Sequence, residues 1–155
     1  MTPRRAIAVI GNGNASAELR DLAFATGHAI ARHGATLICG GRGGVMEAAA
    51  AGAQAAGGHT VGILPGHDHS DANPHIEFVI ATGMGQARNA IVVASAQAVV
   101  ALEGEAGTLS EIGFALKLKR PVVALRSWHQ LSGLVHADDA ESAVELALSL
   151  AAAAK

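Results

Sequence analysis

Tyrosine is absent from this 155-residue chain, tryptophan occurs once and phenylalanine three times. So few aromatics leave no stacking platform of the kind that holds unpaired bases in single-strand binders. The lone cysteine, Cys39, has no partner for an internal disulfide and builds no cysteine-based metal site, which fits a reducing interior and makes the cytoplasm the expected compartment. No apolar run approaches the roughly 20 residues that a spanning helix needs. The opening MTPRRAIAVIGNGN breaks into Gly-Asn-Gly after a short apolar stretch and reads as a strand rather than a signal peptide, so no membrane partner is expected. Charge is scarce as well. Only 15% of residues are charged and the formal net charge is −2, so an anion has to be held by local geometry and nucleic acid is not an expected partner.

What the chain does have is apolar content and glycine: half of its residues are hydrophobic and 19 are glycine. That length and composition suit one domain over residues 1–155 with a substantial core. Short apolar runs recur at Ala6–Ile10, Thr36–Cys39, Thr60–Leu64, Glu77–Ala81, Ala98–Leu102 and Pro121–Leu125. Each is continuously apolar rather than alternating, the pattern of strands buried on both faces. Between them lie segments with helical spacing. Leu19, Leu22, Ala23 and Ile30 share a stripe in the first, with Ser16 as its cap and Gly34 as its stop. An Ala-rich segment ending at Gly57, two further segments GQARNAIVVASAQ and TLSEIGFALKLKR, and a last helix near Asp138 to Ala154 complete the alternation. Alternating strand and helix predicts an α/β Rossmann-like, doubly wound parallel sheet with helices on both faces.

In such a sheet ligands sit beyond the carboxyl ends of the strands. Four of the first five strands run there into glycine-bearing loops: GNGNAS with Gly11 and Gly13, GGRGG with Gly40, Gly41, Arg42, Gly43 and Gly44, TGMGQAR ending at Arg88, and EGEAGT with Gly104, Gly107 and Thr108. Glycine permits positive φ and close backbone approach, and a following helix start aims N–H groups at one point, which suits phosphate. Each loop alone reads equally as a tight turn. The first lacks the third glycine of the dinucleotide fingerprint and no acidic residue ends the second strand, which excludes an ordinary NAD site. No lysine follows the glycines of EGEAGT, which excludes a Walker A loop.

Within GEAGTLSEI, Thr108 offers a hydroxyl to an anion or caps a helix beginning at its own position, since Thr108 and Glu111 have capping-box spacing. Glu111 is either that structural partner or a pocket carboxylate able to accept ribose hydroxyls or act as a general base. Arg88 and Arg42 are candidate anion contacts, each with a solvated surface role as its alternative. His67, His69 and His75 share a loop with Asp68 and Asp71, but the spacing matches no standard zinc pattern and no metal site is assigned. Cys39 reads as a small core residue first and a nucleophile only second.

Taken together, GGRGGVMEAAAAGA, VGILPG, GMGQARNAIVVASAQAVVAL and GEAGTLSEIGFALKLKRPVVAL resemble the Rossmann-like group containing the Lonely Guy (LOG) phosphoribohydrolases and, more closely, the molybdenum-cofactor carrier proteins. The likeness runs from Ala6 to about Leu125. It implies a pocket between the Gly40–Gly44 and Gly104–Thr108 loops holding a phosphorylated ligand, a nucleotide or a pterin such as molybdenum cofactor. By the same resemblance the phosphoribohydrolases' catalytic arginine and glutamate fall on Arg88 and Glu111. Their Pro-Gly-Gly-x-Gly-Thr-x-x-Glu motif is altered, however: Glu103 and Glu105 replace the proline and the second glycine, and Ala87 and Asn89 replace charged flanks of Arg88. These departures favour a carrier-like binder over a hydrolase releasing free base from nucleoside 5′-monophosphates. The apolar NAIVVASA and the small-residue VMEAAAAGAQAA segments predict a homo-oligomer, dimer or tetramer, through one or both.

Overall fold

The computed structural model describes residues 1–154. Its strands are β1 (Ala6–Ile10), β2 (Thr36–Cys39), β3 (Thr60–Leu64), β4 (Phe78–Ala81), β5 (Ala98–Ala101), β6 (Val122–Leu125) and β7 (Val135–Ala137). The helices are α1 (Ala17–Arg32), α2 (Val45–Ala55), α3 (Arg88–Ala94), α4 (Ala106–Lys117) and α5 (Ala140–Ala153). All seven strands form one parallel sheet in the order β4-β3-β2-β1-β5-β6-β7. This is the α/β Rossmann-like sheet expected from the alternation of apolar runs and helical segments.

Side-chain alternation divides the core between the two faces of the sheet. Ile7, Val9, Leu37, Val100 and Val123 pack with α1, α2 and α5. Ala8, Ile10, Ile38, Ile63 and Val99 pack with α3 and α4, whose Val92, Val93, Ile112 and Ala115 are buried. Ser16 caps α1 by accepting from the Leu19 N–H at 3.2 Å, and Gly34 ends it with a φ of 73°.

Two expectations need correction. The fourth strand is not buried on both faces: β4 is the sheet edge, with Phe78 and Ile80 exposed. A seventh strand, β7, extends the other edge and carries the exposed Val135 and His136, too short and too polar to stand out as an apolar run. The small residues of α2 serve a close contact within the chain. A Cβ on Gly27 would lie 1.8 Å from the Ala49 carbonyl oxygen, and one on Gly52 would lie 2.0 Å from that of Phe24. Glycine on each helix thus lets α1 and α2 approach backbone to backbone.

Candidate functional site

The strand order reverses between β1 and β5, so the loops leaving these neighbours diverge to opposite faces and open a crevice at their carboxyl ends. Two backbone hydrogen bonds set the crevice walls: the Asn12 N–H donates to the Glu103 carbonyl at 2.8 Å, and the Val45 N–H donates to the Asn12 carbonyl at 2.9 Å. A cavity of about 200 Å³ lies there. It gathers six of the residues picked out in the sequence, Gly11, Gly13, Arg88, Gly107, Thr108 and Glu111, together with Asn12, Met46, Gln86, Asn89 and Glu105. Gly11 is required by packing, because a Cβ on it would meet the Val45 side chain at 2.8 Å.

Arg88 is 7% exposed, which is rare for a cation without a partner. Its guanidinium lies against Gly40, where a Cβ would sit 2.9 Å from Nη2. Nη1 donates to Asn89 Oδ1, while the buried Nε has no hydrogen-bond partner. The Asn89 amide in turn donates to Ser110 Oγ at 3.1 Å, and that hydroxyl donates to the Gly107 carbonyl at 2.6 Å, tying α3 to α4 beneath the cavity. Among the described residues the ion pairs are His33–Glu141 and His59–Glu77; neither involves Arg88.

Glu111 is half-buried on α4. Burial pushes its carboxyl up to about 8, although the nearby Arg88 charge works in the opposite direction. Burial likewise draws the Arg88 guanidinium below its ordinary range, with Glu111 opposing. An arginine remains charged at neutral pH whereas a carboxyl at about 8 is mostly protonated. The interior of the cavity is therefore net positive, and its remaining carboxylate, Glu105, is exposed at the rim. A desolvated guanidinium beside a protonated carboxyl complements an anion.

The capping-box reading of Thr108 and Glu111 is not what forms. The helix α4 begins at Ala106, two residues before Thr108, with Glu105 at the cap and no side-chain capping bond. Thr108 is buried inside the first turn beneath Gly104, where a Cβ would fall 2.0 Å from its Oγ1. Glycine at 104 is thus required for this close approach. The Leu109 N–H is the first to bond back, to the Glu105 carbonyl at 2.9 Å, which leaves the N–H groups of Ala106, Gly107 and Thr108 available for an anion. Glu111, relieved of a capping role, lines the cavity.

The GGRGG loop contributes shape more than contacts. Gly41 and Gly44 have φ of 78° and 64°, and a Cβ on Gly44 would lie 2.2 Å from the Asn12 carbonyl oxygen. Arg42 is exposed and does not line the cavity, and its carbonyl accepts from the Asn73 side-chain amide at 2.8 Å. Gly43 approaches the Gly13 carbonyl, bracing the first loop, whereas Gly104 lies on the wall of a neighbouring cavity. Cys39 is fully buried and burial pushes its thiol up to about 12, which makes it a core residue and not a nucleophile. In the histidine-bearing loop, Asp68 caps Ser70 at 2.8 Å and His75 contacts Gln54 at 2.6 Å. Asn12, Met46 and Gln86 carried no signal as site residues; Asn12 reaches the cavity only because its backbone bridges two loops distant in sequence.

A family model described as the SLOG cluster4 family matches residues 4–153. The molybdenum cofactor binding protein of the phototrophic bacterium Rippkaea orientalis is 35% identical, with a TM-score of 0.92 over 97% of this chain and 99% of that one. The Moco carrier protein of Chlamydomonas reinhardtii is also 35% identical, with a TM-score of 0.87 over the same shares. In sequence, the chain is 35% identical over 132 residues to a cytokinin riboside 5′-monophosphate phosphoribohydrolase of Mycobacterium tuberculosis, spanning 76% of this chain and 68% of that protein.

Proposed function

The chain belongs to the SLOG cluster4 family, and from that premise we propose that it is a binding protein for a phosphorylated small molecule, a nucleotide or a pterin such as molybdenum cofactor, held at the β1/β5 crevice. The observation that carries this reading is the buried Arg88, which forms no ion pair among the described residues and whose Nε lacks a partner. A buried guanidinium is costly unless something anionic meets it, and the free N–H groups opening α4 line the same cavity. The similarity to molybdenum-cofactor binding and carrier proteins supports the pterin choice.

A second reading, hydrolysis of the N-glycosidic bond of nucleoside 5′-monophosphates, is favoured by one observation: Arg88 and Glu111 share one cavity. Arg88 would orient the phosphosugar. Glu111, at about 8, would need to lose its proton to assist water or to stabilise positive charge on the ribose. Purified protein incubated with AMP and related monophosphates, with free base followed by chromatography, separates the two. A binder releases no base and gains thermal stability from a phosphorylated nucleotide or pterin. Base release that vanishes in Glu111→Ala establishes the hydrolase instead.

The proposal includes a homo-oligomer. Beside the α2 and α3 segments, an exposed apolar face suited to it is the outer side of α4, where Leu109, Phe114 and Leu116 are exposed, with Leu118 just beyond the end of the helix.

A further inference from the structure

Glu103 stands where the phosphoribohydrolase motif has proline, and it lies outside the cavity that holds Arg88. It lines a second cavity of about 150 Å³, beyond the ends of β5 and β6 and against the first turns of α1. Three leucines, Leu19, Leu22 and Leu125, give that cavity an apolar part, and Ser16, the cap of α1, with three charged residues, Glu18, Glu103 and Arg126, completes it. The Asn12–Glu103 backbone bond joins the loops of the two cavities.

The loop carrying Arg126 is held under strain. Arg126 and Trp128 have φ of 52° and 59°, values that side chains other than glycine seldom adopt. The conformation is secured by bonds to the end of β5: Ser127 Oγ donates to the Ala101 carbonyl at 3.2 Å and Trp128 Nε1 to the Leu102 carbonyl at 2.8 Å. Arg126 Nε donates to the Asp138 carbonyl at 2.5 Å, which orients the guanidinium and leaves both Nη groups without a protein partner among the described residues. Arg126 and Glu103 share the cavity wall without forming an ion pair. Strain of this kind persists where the surrounding structure imposes it, and it concentrates at ligand clamps.

We propose that this second cavity is a head-group subsite for a 2-amino-4-oxopyrimidine edge, the group shared by guanine and the pterins. The inference rests on the reading above that the phosphate of the same ligand is held at Arg88. Two carboxylates against one guanidinium disfavour an anion here and suit a neutral ring rich in N–H donors. The ring N–H and the 2-amino group present two parallel donors to the Glu103 carboxylate, and the adjacent 4-oxo oxygen accepts from Arg126. The leucines cover the ring faces. Adenine offers a ring nitrogen lone pair where the ring N–H should be, so it meets the carboxylate with repulsion.

Calorimetric titration with GMP, IMP, AMP, 6-hydroxymethylpterin phosphate and ribose 5-phosphate tests this. GMP and the pterin phosphate bind roughly 10- to 100-fold more tightly than IMP or AMP, the span expected for hydrogen bonds to a charged group. Glu103→Gln abolishes that preference and leaves ribose 5-phosphate unaffected, with thermal melting to establish that the variant folds. If ribose 5-phosphate binds and Arg88→Met removes its binding, yet GMP is no tighter than AMP or its preference survives Glu103→Gln, the head-group subsite is overturned and the phosphate site stands. If none of the five binds, both readings fall.

Discussion

At the scale of single residues, Arg88 and Glu111 set the electrostatics of the crevice. Replacing Arg88 by Met removes a desolvated charge without breaking any ion pair, so the thermal midpoint should hold steady, the relief offset by the lost bond to Asn89. Affinity for a phosphorylated ligand should instead fall about 10- to 100-fold, as for loss of a charged hydrogen bond. A variant that melts far lower and binds as before would mark Arg88 as structural. Glu111 yields a pH prediction. Its carboxyl is raised from 4.5 to about 8 in the fold, so between those values the native state keeps a proton that the unfolded chain has lost. Stability from this group is whole below about 4.5 and drains away as pH rises through about 8, and Glu111→Gln should not show that decline. Urea titrations of both proteins across this window measure it. Asp68 and Asp139, whose carboxyls are lowered by bonds to Ser70 and Ser142, titrate below the window and do not mask it. Phosphate affinity should weaken over the same upper range, because ionised Glu111 then stands beside the anion. Both residues were legible from sequence because they sit in recognisable loop motifs. Their mutual effect was not, since it depends on how deeply α4 seats Glu111.

At the scale of elements, the apolar runs marked six strands to within a residue, because buried parallel strands leave little room for polar side chains. The seventh strand escaped: at Val135–Ala137 it is an edge of three residues with His136 at its centre. The start of α4 was misread for a different reason. Thr108 and Glu111 match a capping box, but the tight contact of Thr108 with Gly104 draws the threonine into the first turn and moves the cap back to Glu105. Glycines in helices read ambiguously too. Gly27 and Gly52 look like weak points in α1 and α2, yet each is where one helix meets the backbone of the other. Gly52→Ala gains intrinsic helix propensity but puts a methyl into the Phe24 carbonyl, which cannot move without shifting α1. The expected net loss is about 1–3 kcal/mol, as for overpacking. Differential scanning calorimetry should record a lower midpoint; a rise would mean the helices separate freely and that their close approach does not constrain the fold.

At the scale of the whole molecule, the net charge of −2 and the locally positive crevice act over different distances. The long-range field offers little to draw an anion in, while desolvation makes Arg88 attractive at contact. A different large-scale feature is the outer side of α4. Leu109 and Leu116 are 44% and 39% exposed and one heptad apart on the helix, so they share a stripe, with Gly113 between them keeping it low. Helix α4 also carries Gly107, Thr108 and Glu111 on the cavity wall, so covering its outer side would brace the ligand site. A second copy of the chain meeting this stripe would bury it. Analytical ultracentrifugation should then show a dimer or tetramer, and Leu109→Glu with Leu116→Glu should yield monomers. Both residues are exposed in the single chain, so the doubly substituted protein should keep its helical circular dichroism. Its affinity for a phosphorylated ligand should drop as α4 loses its outer support. A wild-type protein that sediments as a monomer at all concentrations overturns the assembly, whereas an oligomer unchanged by the two glutamates places the interface on another face.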